Sequence, residues 1–284
     1  MTSIIDVKKI VEEEKEKLKT RVKKLQEGKI YPKLALIRAN NDSASEIYIG
    51  KKRKMCEELG ILEEEYILDE NVTTADVVDI IKKLNANTSV DGILVQLPVY
   101  KHLDQELILN EIDPKKDVDG FHPVNLGNLL IGDDTIISCT PKGIMKILDS
   151  LGEEISGKNA VVVGRSRIVG KPIACLLLNR GATVTICHSK TFDLKEHTKN
   201  ADILVVAVGH AGLITEDMVK PGSIVIDVGI NRIDGKIKGD VDTQNVSNVV
   251  RHITPVPGGV GLTTVLSLME NVVEVASKRS NGAL

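Results

Sequence analysis

Tyr48 and Lys52 stand four residues apart, a spacing that places an aromatic ring and an amine on one face of a helix. A ring there can stack on a flat substrate, and an amine can move a proton where burial or neighbouring donors lower its pKa. The run Lys51 to Lys54 also fits a solvated helix face, so the pair gains meaning only beside other residues. A second candidate is the stretch from Ala160 through Gly164-Arg165-Ser166 to Gly170-Lys171-Pro172. Small residues at a strand-to-helix turn let backbone approach a pyrophosphate, and the helix N-terminus supplies positive potential. Gly164 and Ser166 occupy the first two positions of G-x-G-x-x-G, but the third glycine is displaced by one, to Gly170. Glycine-rich turns without a ligand share much of this pattern.

The usual partner of an adenosine ribose is an acidic residue at the end of the next strand. Here that strand ends Ile186-Cys187-His188-Ser189-Lys190, without Asp or Glu. A 2′-phosphate is favoured instead, with Arg165 and Ser189 as its donors, so NADP matches better than NAD. Downstream, Gly209 and Ile230 follow apolar strands, where they either border the adenine or nicotinamide or simply make tight turns.

Short Val- and Ile-rich runs alternate with stretches of helical period, the rhythm of βα units on parallel sheets, so the fold class is α/β. Strands are expected at 33–38, 66–68, 92–95, 159–163, 183–187, 203–206 and 223–227, and helices over 7–26, 45–59, 75–84, 169–179 and 263–277. The polar stretch 113–128 reads as a long functional loop, and Thr140-Pro141 as the N-cap and first residue of a helix. Two domains follow: residues 1–138, with a C-terminal helix at 263–284 packing back on them, and a Rossmann-like NADP-binding domain at 139–262.

The chain has 284 residues, 42% hydrophobic and 27% charged, a globular balance. A net charge of −3 and a lack of Trp argue against nucleic acid as a partner. The first residues carry no apolar signal core, no run of apolar residues is long enough to span a bilayer, and a cytoplasmic location is expected. Cys56, Cys139, Cys175 and Cys187 fall at spacings that suit neither disulfides nor zinc, so no metal is expected.

Six segments taken in order change the weight of the first pair: Tyr48-x-x-x-Lys52, Asp91 to Pro98, Lys116 to Phe121, Cys139 to Gly143, Gly164-Arg165-Ser166, and Pro255 to Gly261. Together they closely resemble the bifunctional methylenetetrahydrofolate dehydrogenase/cyclohydrolase family over nearly the whole chain. The resemblance implies NADP-dependent oxidation of 5,10-methylenetetrahydrofolate, hydrolysis of the methenyl product to 10-formyltetrahydrofolate, and a homodimer formed through the second domain. It implies two domains flanking a folate cleft, with Tyr48 stacked on the pterin or its neighbouring ring and Lys52 at the reacting carbon. Gln96 would position Lys52, Asp119 would accept hydrogen bonds from pterin nitrogens, and Asp117 would be structural. Val95, Leu97, Pro257, Gly258, Gly259 and Gly261 would complete the folate site. Two departures stand out: Ser138 where a proline often precedes Cys-Thr-Pro, and Leu262 where one often follows Gly-Val-Gly.

Two rival readings remain at this stage: a monofunctional dehydrogenase in which Lys52 only orients substrate, and a noncatalytic nucleotide-binding regulator. The joint presence of Tyr48, Lys52, Gln96 and Asp119 favours an enzyme over the regulator, and Arg165 with Ser189 argues against an NAD-linked variant.

Overall fold

The computed structural model describes residues 3–280. Along the chain run β1 (Ser3–Ile4), α1 (Val7–Glu27), β2 (Lys33–Arg38), α2 (Ser43–Leu59), β3 (Leu62–Ile67), α3 (Thr74–Ala86) and β4 (Gly92–Gln96). Then come α4 (Gln105–Glu111), α5 (Pro123–Ile131), α6 (Cys139–Ser150), β5 (Asn159–Val163), α7 (Gly170–Asn179), β6 (Thr183–Cys187) and α8 (Leu194–Thr198). The chain continues through β7 (Ile203–Val206), β8 (Ile224–Asp227), β9 (Asn231–Ile233), β10 (Lys236–Lys238), α9 (Thr243–Val246), β11 (His252–Ile253) and α10 (Val260–Ser280).

Two compact units result, one of Glu13–Cys139 with Val265–Leu284 and one of Met1–Glu12 with Thr140–Thr264. The first holds a parallel three-stranded sheet, ordered β3-β2-β4. Its centre is apolar because β2 and β4 are buried on both faces, and Ala35, Ile37, Ile93 and Val95 pack against Val77 and Ile81 of α3. The second unit holds a parallel sheet of six strands, ordered β1-β11-β8-β7-β5-β6. Strand β5 lies between β6 and β7, the switch point at which such sheets bind ligands beyond their C-terminal edge.

Several expectations are corrected. Strand β3 begins at Leu62, four residues before the expected strand, because its three glutamates suit an edge strand. Glu63 and Glu65 face Arg53 of α2, while Glu64, pointing the other way, pairs with Lys33 at 2.6 Å. The stretch 113–128 is not all loop, since α5 starts at Pro123. His122 caps that helix, its Nδ1 accepting from Val124 N at 3.1 Å, and histidine is not among the residues that usually announce a helix start. Helix α6 begins at Cys139, so Thr140 and Pro141 lie in its first turn. Residues Ser3–Ile4 pair with β11, placing the N-terminus with the nucleotide unit although the sequence pattern groups it with residues 1–138.

Contrary to the expectation that no segment could span a bilayer, helix α10 is long and apolar enough to do so because polar residues only interrupt its apolar run, yet 72% of its most apolar stretch is buried within the protein. Its helical pattern ends at Ser280, and the rest of the expected 263–284 segment lies outside the described residues.

Candidate active site

In the first unit, Lys52 and Gln96 meet at the C-terminal edge of the small sheet. Lys52 projects from α2, and its Nζ donates to Gln96 Oε1 at 2.9 Å. Gln96 ends β4, and its Nε2 donates to Leu97 O at 2.8 Å, which fixes the orientation of the amide. The following peptide, Leu97-Pro98, is cis, and the Asn40 side chain spans this turn by donating to Gln96 O and Pro98 O. Asn40 follows β2, so neighbouring strand ends jointly hold the acceptor of the Lys52 amine.

Tyr48 lies one turn before Lys52 and is partly buried, with the Lys51 ammonium 5.3 Å from its ring centroid. That contact is a cation–π pair and leaves Lys52 to Gln96. Val95 is 2% exposed, its side chain in the hydrophobic core and its backbone in the strand next to Gln96. Leu97 is partly buried at the turn.

Asp119 is partly buried, and desolvation pushes its carboxyl above the ordinary aspartate value while the nearby Lys52 ammonium and the Cys139 thiol pull it down. An electrostatic link between Lys52 and Asp119 therefore joins the two candidates. The loop carrying Asp119 is held from α10. Asn271, fully buried, donates through Nδ2 to Val118 O at 2.8 Å and Ile137 O at 2.9 Å, and Cys139 Sγ donates to Val118 O at 3.2 Å. Ser138, one of the two departures, donates to Gly120 O at 2.8 Å, a bond that a proline there would forfeit. Asp117 turns inward to accept from His122 N at 2.7 Å and Asn125 Nδ2 at 3.0 Å, so it braces the loop. Sequence reasoning missed Asn40 and Asn271. The signal for Asn271 is a lone amide within the apolar stretch of α10, where a buried polar group must find partners.

In the second unit, the turn after β5 is shaped for close approach. Gly164 has φ 129°, and a Cβ there would collide with Ala207 O. Gly170, opening α7, lies so near Gly164 O that a side chain would collide there too. Ser166 Oγ accepts from Val169 N at 3.1 Å and Gly170 N at 3.2 Å, closing the turn onto the helix. Val163 and Cys187 are paired in the sheet and Gly164 N donates to Cys187 O at 2.9 Å. Arg165 and Ser189 each stand two residues beyond that pair, both exposed. No carboxylate occupies residues 188–192, so the rim is chemically suited to an anion.

Gly209, with φ 68°, and Ile230, 49% exposed, follow β7 and β8 at the same C-terminal edge. Pro257, Gly258, Gly259 and Gly261 belong to this unit as well, in the segment that follows β11 and enters α10, with Val256-Pro257 cis. Leu262, the other departure, donates its backbone N–H to Gly259 O at 3.0 Å, a bond that proline could not make. Among the described residues no cluster of His, Cys, Asp or Glu is arranged to hold a metal ion.

The catalytic-domain model of tetrahydrofolate dehydrogenase/cyclohydrolase matches residues 5–119, and the NAD(P)-binding-domain model of the same family matches residues 138–280. The bifunctional protein FolD of Exiguobacterium sp. is 50% identical over 278 residues, covering 98% of this chain and 100% of that protein. Among solved structures, the bifunctional enzyme FolD of Campylobacter jejuni has a TM-score of 0.96 at 47% identity, covering 98% of this chain and 100% of its own. The methylenetetrahydrofolate dehydrogenase-cyclohydrolase of Trypanosoma brucei, solved with NADP cofactor and inhibitor, has a TM-score of 0.92 at 34% identity, covering 98% of each chain. With both domain models matched in order along one polypeptide, the chain belongs to the bifunctional tetrahydrofolate dehydrogenase/cyclohydrolase family.

Proposed function

We propose that this enzyme oxidises 5,10-methylenetetrahydrofolate with NADP and hydrolyses the resulting 5,10-methenyltetrahydrofolate to 10-formyltetrahydrofolate. The observation that carries this reading is the Lys52 amine held on Gln96 at the C-terminal edge of a parallel sheet, its positive charge opposing the upward push of burial on the Asp119 carboxyl.

Bound NADP supplies the hydride acceptor, and the residues suited to hold it are Gly164, Arg165, Ser166, Ser189, Gly209 and Ile230. The absence of a ribose-binding carboxylate and the exposed Arg165 favour NADP over NAD. Hydride leaves the methylene carbon with help from an adjacent nitrogen lone pair, so the protein's task in that step is placement. Tyr48 offers a ring face for stacking, and Asp119 offers an acceptor for pterin N–H groups. In the second step water adds to the methenyl carbon, the bond from that carbon to N5 breaks as the formyl C=O forms, and of the water's two protons one passes to N5 and the other is released. Lys52 manages those proton movements with Gln96 orienting its Nζ, a role supported by the bond between them.

We also infer a homodimer built on the nucleotide unit. Strand β6 is the edge of its sheet, and Leu178, Ile186 and Phe192 nearby are 55%, 40% and 91% exposed. A second copy would cover that edge and those side chains. Cys56, Cys139, Cys175 and Cys187 are not joined in disulfides, which fits a reducing compartment, the cytoplasm.

An absorbance assay with methylenetetrahydrofolate and NADP tests the activity. NADPH formation without lasting methenyl product is the expected result. Persistent methenyl product would mean a dehydrogenase alone, and no NADPH would overturn the reading.

A further inference from the structure

The nucleotide unit contains a buried carboxylate that the reaction does not use. Asp240, in the segment after β10, is fully buried, and its side chain collects four donors. Its Oδ2 accepts from Val208 N at 2.7 Å and Gly209 N at 2.9 Å, and its Oδ1 accepts from His210 N at 2.8 Å and Asn231 Nδ2 at 2.9 Å. Successive backbone N–H groups converging on one anion form the kind of nest that elsewhere takes a phosphate. Here the protein fills the nest with its own carboxylate, so these N–H groups fix the loop rather than grip a ligand.

A second carboxylate extends the knot. Asp227 ends β8 and accepts from Gly229 N at 2.9 Å, Asp240 N at 2.9 Å and Val241 N at 3.0 Å. The loops after β7, β8 and β10 are thus tied by two buried side chains. Packing there is tight enough that a Cβ on Gly229 would run into the Asp240 carboxylate. What the knot displays is apolar: Val208, whose own N–H is bonded to Asp240, is 39% exposed, and Ile230, between the bonded Gly229 and Asn231, is 49% exposed. Both stand at the C-terminal edge of the sheet, where a flat ring of a dinucleotide would meet them.

We infer that Asp240 is a positioning residue of the dinucleotide site, locking the loop at 208–210 to the loop at 229–231 so that Val208 and Ile230 are held ready for a ring of the cofactor. This rests on the reading of the unit as NADP-binding. Charge-assisted bonds from fixed N–H groups make the arrangement rigid before any ligand arrives, which lowers the ordering cost of binding.

The test is Asp240→Asn, which keeps the shape but sets an amide N–H₂ against backbone N–H donors. Direct fluorescence titration of the full-length variant with NADPH should give a Kd raised roughly tenfold or more, since a charge-assisted cluster loses an acceptor. Hydrogen exchange of the apo protein should show faster exchange at residues 208–210, while exchange in the β2 and β4 core stays slow. If NADPH binds equally well although those amides exchange faster, the inference is overturned. Should Asp240→Asn not fold, Asn231→Ala removes a single donor, and an unchanged NADPH Kd in that variant would equally overturn it. Failure of the wild-type protein to bind NADPH at all would instead sink the functional reading beneath it.

Discussion

The Lys52 amine donates to Gln96 Oε1 at 2.9 Å across 44 residues of sequence, and the same Gln96 is fixed in turn by its bond to Leu97 O. An amine held by one oriented amide keeps two N–H groups for substrate and solvent. Replacing Lys52 with Met keeps the aliphatic stem and removes the proton-carrying group. Hydrolysis of methenyltetrahydrofolate should fall by roughly 10²- to 10⁴-fold, the usual range for a lost general acid-base group. NADP-dependent oxidation, which depends on placement, should retain much of its rate. Unchanged hydrolysis in Lys52→Met would remove Lys52 from the mechanism.

Asn271 presents a separate test of the Asp119 loop. Its amide is the partner of Val118 O and Ile137 O, on either side of the segment that carries Asp119. Asn271→Leu takes the amide donor from both carbonyls and leaves Val118 O only the Cys139 thiol, with an expected loss of about 1–3 kcal/mol in unfolding free energy. If Asp119 holds the pterin, the loosened loop should also raise the KM for folate more than it lowers kcat. Thermal melts and steady-state kinetics separate these effects, and a stability loss with an unaltered folate KM would assign Asn271 to the fold alone.

Legibility of the chain followed the physical signals available. Strands β2, β5 and β7 have apolar runs and β6 alternates Thr with Val and Ile, and all four match the expected bounds. Strand β3 was obscured because its charges are matched by Arg53 and Lys33, which are distant or ambiguous in sequence. Lys52 could be singled out through its spacing to Tyr48 and the family resemblance, whereas Asp240 could not. Its partners are backbone N–H groups, which carry no side-chain signature, and only the folded loops bring them together.

The Asp227 carboxyl is predicted to titrate unusually high. Burial pushes it from 3.8 up to about 6, aided by the neighbouring Asp240 carboxylate and opposed by the N–H groups of Asp240, Val241 and Gly229. A carboxyl that is harder to ionise in the folded state contributes most to stability below 3.8, and that contribution is lost as pH rises through 6. The difference corresponds to roughly 3 kcal/mol when the group is fully ionised. Carbon-13 carboxyl resonances of labelled aspartates should include one with a midpoint near 6 that vanishes in Asp227→Asn. A midpoint at the ordinary value for every aspartate would refute the shift.

Discrimination between NADP and NAD should reside in Arg165 and Ser189. The Gly164 N to Cys187 O bond pins together the two turns on which they stand, and both side chains are exposed at that rim. A guanidinium bonded to a 2′-phosphate exchanges hydration for charge-assisted hydrogen bonds, a preference that vanishes when the phosphate is absent. Arg165→Ala should therefore weaken NADP binding by about ten- to hundredfold and leave NAD binding nearly as it was. Ser189→Ala, which deletes a neutral donor, should act in the same direction by a smaller factor. Raised ionic strength should erode the preference in the wild-type protein, because exposed charges are screened. Paired titrations with both dinucleotides decide the matter: equal losses for the two would mean that Arg165 supports the turn as a whole, and no loss for either would place the 2′-phosphate elsewhere.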